Sequence, residues 1–361
     1  MNTNPESNLD AVNQDFRRFD QVDKQQRYRL SESGEAEEFD DEFQIRTVDM
    51  ADFFHGGEAG KKRFADALGL AMEEIGFAVL VGHGIDPDLL ARTEREVARF
   101  FAEIAEPERQ PYLARRFGSV NQGYFPIEQT TIIFPDQVEG WVFCRRAFDM
   151  DASGQFDEKA FWPRPGFEEA FRELIKAEEP LILPVMQSIL RYLRCDPHLY
   201  DRRLTATNLG FRLNYYPAPT GGGAGQGGRM LGHEDVDLFT ILPAPDVEGL
   251  QALNQKTGQW VRVNDPPGSI ILNTGDYMQR ITNDILPSTT HRVSKPRVPV
   301  LHGKPRVSFP MAVYVWEDEL LEVLPGIPNP KYPPIKAVTF HTRTTSKFYG
   351  DEYAVEDGKV K

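Results

Sequence analysis

Two imidazoles and one carboxylate in the second half of the chain could bind a single metal ion. His233 and Asp235 are two residues apart, and His291 follows 56 residues after Asp235 (291 − 235). Side chains two residues apart share a face on a β-strand but diverge by about 200° on a helix, so this spacing predicts a strand. Two histidines and one carboxylate leave coordination positions open, which is typical of non-haem Fe(II) oxygenases. These three residues therefore predict a catalytic iron site.

An arginine and a serine farther along the chain could receive a carboxylate beside this metal. Arg306 lies 15 residues beyond His291 (306 − 291), and Ser308 shares its face of a predicted strand. The guanidinium fork matches a carboxylate with two parallel hydrogen bonds. This pair indicates an anionic co-substrate. It also argues against the alternative that the metal candidates are unrelated surface or loop residues. Strand alternation continues the same face through Pro310, Ala312 and Tyr314, which are candidates for lining a substrate site, with a plain core role as the alternative for Pro310 and Ala312.

The composition is that of a globular chain with an acidic balance. The 361 residues are 40% hydrophobic and 27% charged, and 41 basic against 55 acidic residues give a formal net charge of −14. This balance argues against a nucleic-acid partner, which a basic face would bind, and against anionic membrane surfaces. A small-molecule substrate is the partner that fits.

Cysteine usage and the N-terminal residues bear on the compartment. The chain has two cysteines, Cys144 and Cys195, which is too few for a disulfide framework or a zinc cluster. The first 30 residues contain no apolar signal region, and no run of about 18 apolar residues occurs anywhere. These features predict a cytoplasmic protein.

Hydrophobic periodicity predicts the elements that must position the candidate residues. Helical patterns cover residues 61–75, 87–101 and 167–194, and the last is interrupted at Pro180 and Pro184. Residues 112–165 read as irregular. Short strands are predicted at residues 43–48, 77–81, 211–216, 236–242, 249–253, 260–263, 269–272 and 307–315. Strands of this length and spacing indicate an all-β barrel or sandwich in the second half.

The pattern divides the chain into four regions. Residues 1–42 form a polar, acidic extension that is mobile or loosely docked, with a packed helix over 8–28 as the alternative. The other regions are a helical part at 43–203, a β-rich core at 204–316, and a covering segment at 317–361 with helices at 318–323 and 338–348. Residues 221–228, with six glycines in eight positions, predict a flexible loop that acts as a lid.

Taken in chain order, these motifs resemble the Fe(II)- and 2-oxoglutarate-dependent dioxygenases of the isopenicillin N synthase-like superfamily. The matching stretches are residues 74–85, 212–216, 233–235, 249–251, 273–276, 291–293 and 306–308. The resemblance implies a mixed α/β fold with an all-β core, a double-stranded β-helix or jelly roll at 204–316, flanked by N-terminal and C-terminal helices. It implies His233, Asp235 and His291 as the iron ligands.

The resemblance also implies a co-substrate site and a reaction. Arg306 and Ser308 would hold the distal carboxylate of 2-oxoglutarate, and Asn214 and Tyr216 would contact it near the metal. With O2, 2-oxoglutarate would be converted to succinate and CO2 while a small organic substrate is hydroxylated, desaturated or cyclised. Ascorbate would stimulate turnover. The breadth of the family suggests a natural-product intermediate or an amino acid derivative as the substrate.

Two other functions remain open at this stage. An oxidase of the same fold, like isopenicillin N synthase, would use no 2-oxoglutarate, and a jelly-roll binding protein would catalyse nothing. The chain departs from the family pattern in the long segment 294–305, in the glycine loop 221–228, and at Asp284, where many members have glycine. These departures bear on the substrate more than on the chemistry.

Overall fold

The computed structural model describes residues 17–24, 39–118, 120–127, 137–145, 161–218 and 229–356, apart from the side chain of Phe117. Within these residues the α-helices are α1 (Ala51–His55), α2 (Gly57–Ile75), α3 (Pro87–Glu103), α4 (Glu106–Arg109), α5 (Glu168–Tyr192), α6 (Asp201–Leu204), α7 (Asp276–Ile281) and α8 (Ala337–Tyr349). None of these helices combines the length and the apolar content that crossing a bilayer requires.

The strands build one large sheet, one small sheet and a short ribbon. They are β1 (Thr47–Asp49), β2 (Phe77–Val81), β3 (Arg115–Phe117), β4 (Val120–Phe125), β5 (Glu139–Cys144), β6 (Asn208–Tyr216), β7 (Met230–His233), β8 (Phe239–Pro243), β9 (Leu250–Asn254), β10 (Gln259–Arg262), β11 (Ile270–Thr274), β12 (His291–Val293), β13 (Arg306–Ser308), β14 (Met311–Tyr314), β15 (Leu320–Leu321) and β16 (Ile335–Lys336). The large sheet has the order β1-β2-β11-β8-β14-β6-β5-β4-β3, with β13 also on β6. The small sheet has the order β10-β9-β12-β7, and β15 pairs with β16.

Strand β6 shows how the large sheet separates a helix-covered core from an inner cavity. Successive side chains of a strand point to opposite faces. The core-facing residues, which pack with side chains of α2, α3 and α5, are Leu209, Phe211 and Leu213. The cavity-facing residues are Gly210, Arg212, Asn214 and Tyr216. Burial of each large core side chain contributes about 1.5–3 kcal/mol to the stability of the fold. This burial keeps the alternate residues of β6 facing the cavity.

The irregular stretch predicted at 112–165 contains three strands, so that prediction is wrong. Strand β5 pairs with β6 from Glu139 opposite Tyr215 to Cys144 opposite Gly210, and β4 and β3 extend the sheet beyond it. Five of the six residues of β5 are buried. A strand buried on both faces lacks the alternating pattern from which strands are recognised, so the periodicity gave no signal here.

Two predicted helices also differ from the structure. Helix α5 runs without a break through Pro180 and Pro184. Each proline removes one backbone donor, and the buried apolar face around Ile182 and Val185 holds the helix together across them. The helix predicted at 318–323 is absent, because Leu320 and Leu321 form β15 instead.

The N-terminal residues 17–24 are packed on the body rather than loosely docked. Phe19 and Val22 are buried, and the carbonyl oxygens of Gln21 and Asp23 accept hydrogen bonds from side chains of α7. Residues 20–24 are not helical, so the alternative prediction of a helix does not hold for them. Residues 1–16 and 25–38 lie outside the described residues, as does the glycine loop 221–228. The boundaries at 43, 204 and 317 stay predictions.

Candidate metal and substrate site

The three predicted metal ligands converge at one end of the cavity. His233 ends β7 and pairs in register with His291, the first residue of β12. Asp235 does not lie on a strand, so the strand argument was wrong for it; it lies in the connection from β7 to β8. The backbone N–H of Asp276 donates to the Asp235 carbonyl oxygen at 2.8 Å, which fixes this turn. A Cβ on Gly275 would lie 2.9 Å from the same oxygen, so the turn requires glycine there.

The imidazoles present their free nitrogens to the carboxylate. Nδ1 of His233 lies 2.9 Å from the Leu231 carbonyl oxygen, and Nδ1 of His291 lies 3.1 Å from that of Thr289. A carbonyl oxygen only accepts, so each Nδ1 carries a proton, and in the neutral ring the lone pair is then on Nε2. The Nε2 atoms lie 3.9 Å and 3.8 Å from the two oxygens of Asp235.

The carboxylate of Asp235 is oriented by two neutral side chains. Nδ2 of Asn273 donates to Oδ2 at 2.8 Å, and Oγ1 of Thr240 lies 2.8 Å from the same atom. Burial alone would raise the pKa of Asp235, but the two imidazoles and these hydrogen bonds outweigh it and lower the pKa. Burial, with the neighbouring His291 ring, lowers the pKa of His233 to about 4. The group therefore presents an anion and a neutral imidazole, the protonation states that a divalent metal requires.

The donor set fits an iron ion. The ligand atoms of the three residues lie within 4.8 Å of one another, close enough for one ion, and they are two nitrogens and an oxygen. The hydrogen bonds from Nδ1 to carbonyl oxygens are the outer contacts that fix metal-binding histidines. His291 is also held by the edge of the Phe77 ring, with ring centroids 5.5 Å apart.

The co-substrate candidates face each other on paired strands beside this group. Arg306 lies opposite Tyr216 and Ser308 lies opposite Asn214 in the β13–β6 register. The Arg306 side chain is 1% exposed; its Nε donates to the Val247 carbonyl oxygen at 3.0 Å, and its Nη1 has no hydrogen-bond partner among the described residues. A buried guanidinium nitrogen without a partner is costly, so the site fits an added carboxylate. Nδ2 of Asn214 donates to the Ser308 hydroxyl at 3.4 Å.

A buried ionic cluster lies behind the metal candidates. Glu234, the residue between His and Asp of the motif, has its Oε2 3.8 Å from Nζ of Lys24 and 3.9 Å from Nζ of Lys347. Lys24 also pairs with Asp276, and the Thr290 hydroxyl donates to Glu234. The four ionic side chains are at most 2% exposed. The cluster ties the N-terminal segment, α7 and α8 to the metal-binding turn, and no sequence motif indicates it.

The metal group opens into a cavity of about 320 Å³ with two sides. We call the part formed by the three metal candidates, Asn214, Tyr216, Arg306 and Ser308 the metal side. A second set of lining residues, which we call the helix side, includes the following: Val120, Asn121, Phe125, Val142, Gly210, Arg212, Pro310, Ala312, Tyr314, His341, Thr345, Phe348, Tyr349 and Tyr353. All three of the lining candidates from strand alternation are among them. The contributions of β4, β5 and α8 were missed, since no motif marks them.

Comparisons with known proteins point the same way as the geometry. A family model described as the 2OG-Fe(II) oxygenase superfamily matches residues 207–312, and one described as the N-terminal part of non-haem dioxygenases in morphine synthesis matches residues 45–165. A 2-oxoglutarate-Fe(II) type oxidoreductase of Emericella nidulans is 26% identical over 306 residues, covering 80% of this chain and 85% of its own. A proline hydroxylase of Petromyces alliaceus is 26% identical over 264 residues, covering 70% and 82%.

Solved structures confirm the fold class. A full-length Neurospora crassa protein crystallised in complex with alpha-KG and thymine superposes with a TM-score of 0.73 at 23% identity, over 84% of this chain and 97% of that one. At this identity the likeness shows the fold, which is the jelly roll flanked by helices that the motifs predicted.

Proposed function

Because the chain belongs to the 2-oxoglutarate- and Fe(II)-dependent oxygenases, we propose that His233, Asp235 and His291 bind its iron and that Arg306 and Ser308 hold the distal carboxylate of 2-oxoglutarate. The protein is an Fe(II)/2-oxoglutarate-dependent dioxygenase. When bound, iron, 2-oxoglutarate and O2 supply the oxidising chemistry, with release of succinate and CO2. The observation that carries the residue assignment is the fully buried Arg306, whose Nη1 has no partner among the described residues and which lines the same cavity as the His-Asp-His group.

Residues of the metal side and their neighbours hold these groups in position. The carbonyl oxygens of Leu231 and Thr289 keep the two imidazoles in one tautomer. Asn273 engages one oxygen of Asp235 and leaves Oδ1 for the metal. Asn214 connects Ser308 to the strand and, with Tyr216, would contact 2-oxoglutarate near the iron. These contacts pre-organise the site before any ligand enters.

The substrate is a small molecule, and we propose that it is an amino acid derivative or a natural-product intermediate that is hydroxylated, desaturated or cyclised. The cavity of about 320 Å³ supports a compact ligand. One similar protein is named a proline hydroxylase, and a similar structure holds thymine. We propose the cytoplasm as the compartment, which is supported by the low cysteine content of two residues in the chain.

The oxidase that uses no 2-oxoglutarate is not favoured, because the similar proteins are named for their dependence on 2-oxoglutarate. A direct assay tests the proposal. Protein purified without O2 is mixed with Fe(II), ascorbate and 2-oxoglutarate, exposed to air with and without a pooled metabolite extract, and assayed for succinate.

We expect succinate to rise with the extract and to fall to background in His233→Ala and Arg306→Ala. The control variants are His302→Ala and Arg297→Ala, which remove the same residue types from exposed positions. Succinate formation that persists in His233→Ala would refute the iron-ligand assignment. No succinate from iron-loaded protein, with or without the extract, would refute the proposed use of 2-oxoglutarate.

A further inference from the structure

We propose that Arg212 binds a carboxylate of the substrate, so that this dioxygenase oxidises a small organic acid. The inference rests on the proposed function, because it names the substrate class of the same site. Among the described residues two guanidinium groups line the cavity, and the proposed co-substrate engages only one of them, Arg306. The position, contacts and surroundings of the second identify its ligand.

Arg212 faces the same cavity as Arg306 but belongs to its other side. On β6, Tyr216 lies opposite Arg306. Four residues away from this pair along the strands, the backbone N–H of Arg212 donates to the Pro310 carbonyl oxygen at 3.0 Å. Four residues of strand correspond to about 13 Å, so the backbones of the two arginines lie at different levels of the cavity wall. The two guanidinium groups are also anchored separately, Arg306 by the Val247 carbonyl oxygen and Arg212 by Asn214.

The guanidinium of Arg212 is held in place with two nitrogens to spare. Its Nε donates to Oδ1 of Asn214 at 2.6 Å, and its carbon lies 5.2 Å from the centroid of the Phe125 ring. A Cβ on Gly140 would lie 3.1 Å from both Nε and Nη2, so the glycine leaves the space that the group occupies. Neither Nη1 nor Nη2 has a hydrogen bond to the described residues. The group is oriented by the protein and free to donate into the cavity.

No protein carboxylate neutralises this charge in the part of the chain that the structure describes. The acidic side chains that line the cavity are Asp235, a proposed iron ligand, and Glu234, whose neighbours include Lys24 and Lys347. Arg212 forms no ion pair with either. A half-buried guanidinium with aromatic neighbours is most stable when a ligand anion completes it, and the planar fork suits a carboxylate.

The rest of the helix side is suited to the uncharged body of such an acid. Phe125, Val142 and Tyr314 give an apolar and aromatic lining. Burial raises the pKa of Tyr314 well above its usual range, so the phenol stays neutral, and burial lowers the pKa of His341 to about 4, so that ring is neutral as well. Of the described side chains, Arg212 is thus the cation on this side, and its surroundings favour an acid with an alkyl or aryl body.

Matched acids and amides test the proposal without turnover. Protein loaded with Zn(II) in place of iron, and with 2-oxoglutarate, is titrated with benzoate, phenylacetate, 3-phenylpropanoate and hexanoate, and with the primary amide of each. Binding is followed by ligand-detected NMR. We expect at least two acids to bind, with their amides at least tenfold weaker.

Variants of Arg212 test whether this residue is the source of the preference for acids over amides. Arg212→Gln should bind each acid no better than its amide, and Arg212→Lys, which keeps the charge but lacks the fork, should retain part of the preference. Arg202→Gln removes an exposed arginine from α6 and should keep the full preference. Amides that bind as tightly as acids, a preference that survives in Arg212→Gln, or the failure of all four acids to bind would overturn the proposal.

The same experiment separates this inference from the proposed function. Binding of 2-oxoglutarate to the Zn(II)-loaded protein is measured first, in the absence of any acid. If 2-oxoglutarate does not bind, the proposed function fails. If 2-oxoglutarate binds and the acids do not, only the role of Arg212 is refuted.

Discussion

The two sides of the cavity are built in different ways. On the metal side, Asp235, His291 and Asn214 each make a hydrogen bond with a neighbouring residue that fixes the side chain. These residues belong to core strands or to the turn between two of them. The helix side combines segments that are far apart in the sequence, and one of its hydrogen bonds joins the Tyr353 hydroxyl to Asn121, 232 residues away.

The difference indicates which properties each side controls. Side chains fixed from behind change little when a ligand binds, which suits a metal and an invariant co-substrate. Aromatic side chains from β4 and α8, with Val142 of β5, present a surface set by packing, so substitutions there alter ligand choice without dismantling the metal group. Arg212 lies at the junction, since its Nε bonds to Asn214 of the metal side.

The largest expected difference between the sides is in metal affinity. Loss of a residue that only orients a metal ligand typically weakens metal binding by about 10- to 100-fold. Removing an imidazole ligand itself should therefore weaken Fe(II) binding by more than about 100-fold. His233→Ala is the test variant, and His341→Ala removes a buried histidine from the helix side. Competition with a chelating dye under argon measures both. Equal losses in the two variants would contradict the division of the cavity.

The buried ionic cluster should matter more to stability than an exposed ion pair of the same N-terminal segment. Lys24→Met should lower the free energy of unfolding by about 3–5 kcal/mol, because it leaves Asp276 and Glu234 with less compensation. Arg18→Met removes an exposed partner of Asp351 and should cost less than about 1 kcal/mol. Urea unfolding monitored by circular dichroism measures both. A cost for Lys24→Met as small as for Arg18→Met would show that the segment is not coupled to the metal-binding turn.

Acid should weaken the helix side through His341. Burial lowers the pKa of this ring to about 4, below its ordinary value of about 6.5. Between these values the unfolded chain binds a proton that the folded chain does not, so stability falls as the pH drops from about 6.5 to 4. The loss due to this group is on the order of 3 kcal/mol.

The variant His341→Gln isolates this contribution, because glutamine does not titrate. The difference in unfolding free energy between wild type and variant, measured from pH 7 to pH 4.5, should shrink or reverse as the pH falls. Exposed His302→Gln serves as the control. A pH-independent difference for His341→Gln would show that the ring is not buried in its neutral form.

The smallest expected effect compares two asparagines. Asn273→Ala removes a hydrogen bond to Asp235 and should weaken metal binding by about 10- to 100-fold. Asn121→Ala removes a partner of Tyr353 on the helix side and should leave metal affinity within about twofold, as expected for a residue without contact to the ligands. Calorimetric titration with Zn(II) distinguishes the two. Metal binding that is unaffected by Asn273→Ala would refute its orienting role.

The metal side was largely predictable from the sequence, and the reason lies in local spacing. Arg306 and Ser308 share a face because strand side chains alternate, and the structure has them in the short strand β13. Asp235 lies beside the two histidines, but a turn closed by the backbone N–H of Asp276, rather than the predicted strand, brings it there.

Apart from Pro310, Ala312 and Tyr314, the helix side could not be predicted, and neither could the ionic cluster, because their contacts are long-range. Lys24 meets Asp276 across 252 residues, and no local pattern in 17–24 specifies that pairing. Strand β5 is buried along nearly its whole length, which hides the alternation. Helix α8 was expected as a covering element, but its periodicity does not reveal that His341 and Thr345 enter a cavity.

The central claim is that one cavity holds a metal on His233, Asp235 and His291 and a 2-oxoglutarate carboxylate on Arg306. A crystal structure of the protein grown without O2 with Mn(II) and 2-oxoglutarate tests it most directly, since the anomalous signal locates the metal. The account predicts one Mn(II) bound by these three side chains and 2-oxoglutarate with its distal carboxylate on Arg306. Mn(II) bound elsewhere, or 2-oxoglutarate held away from Arg306, would contradict it.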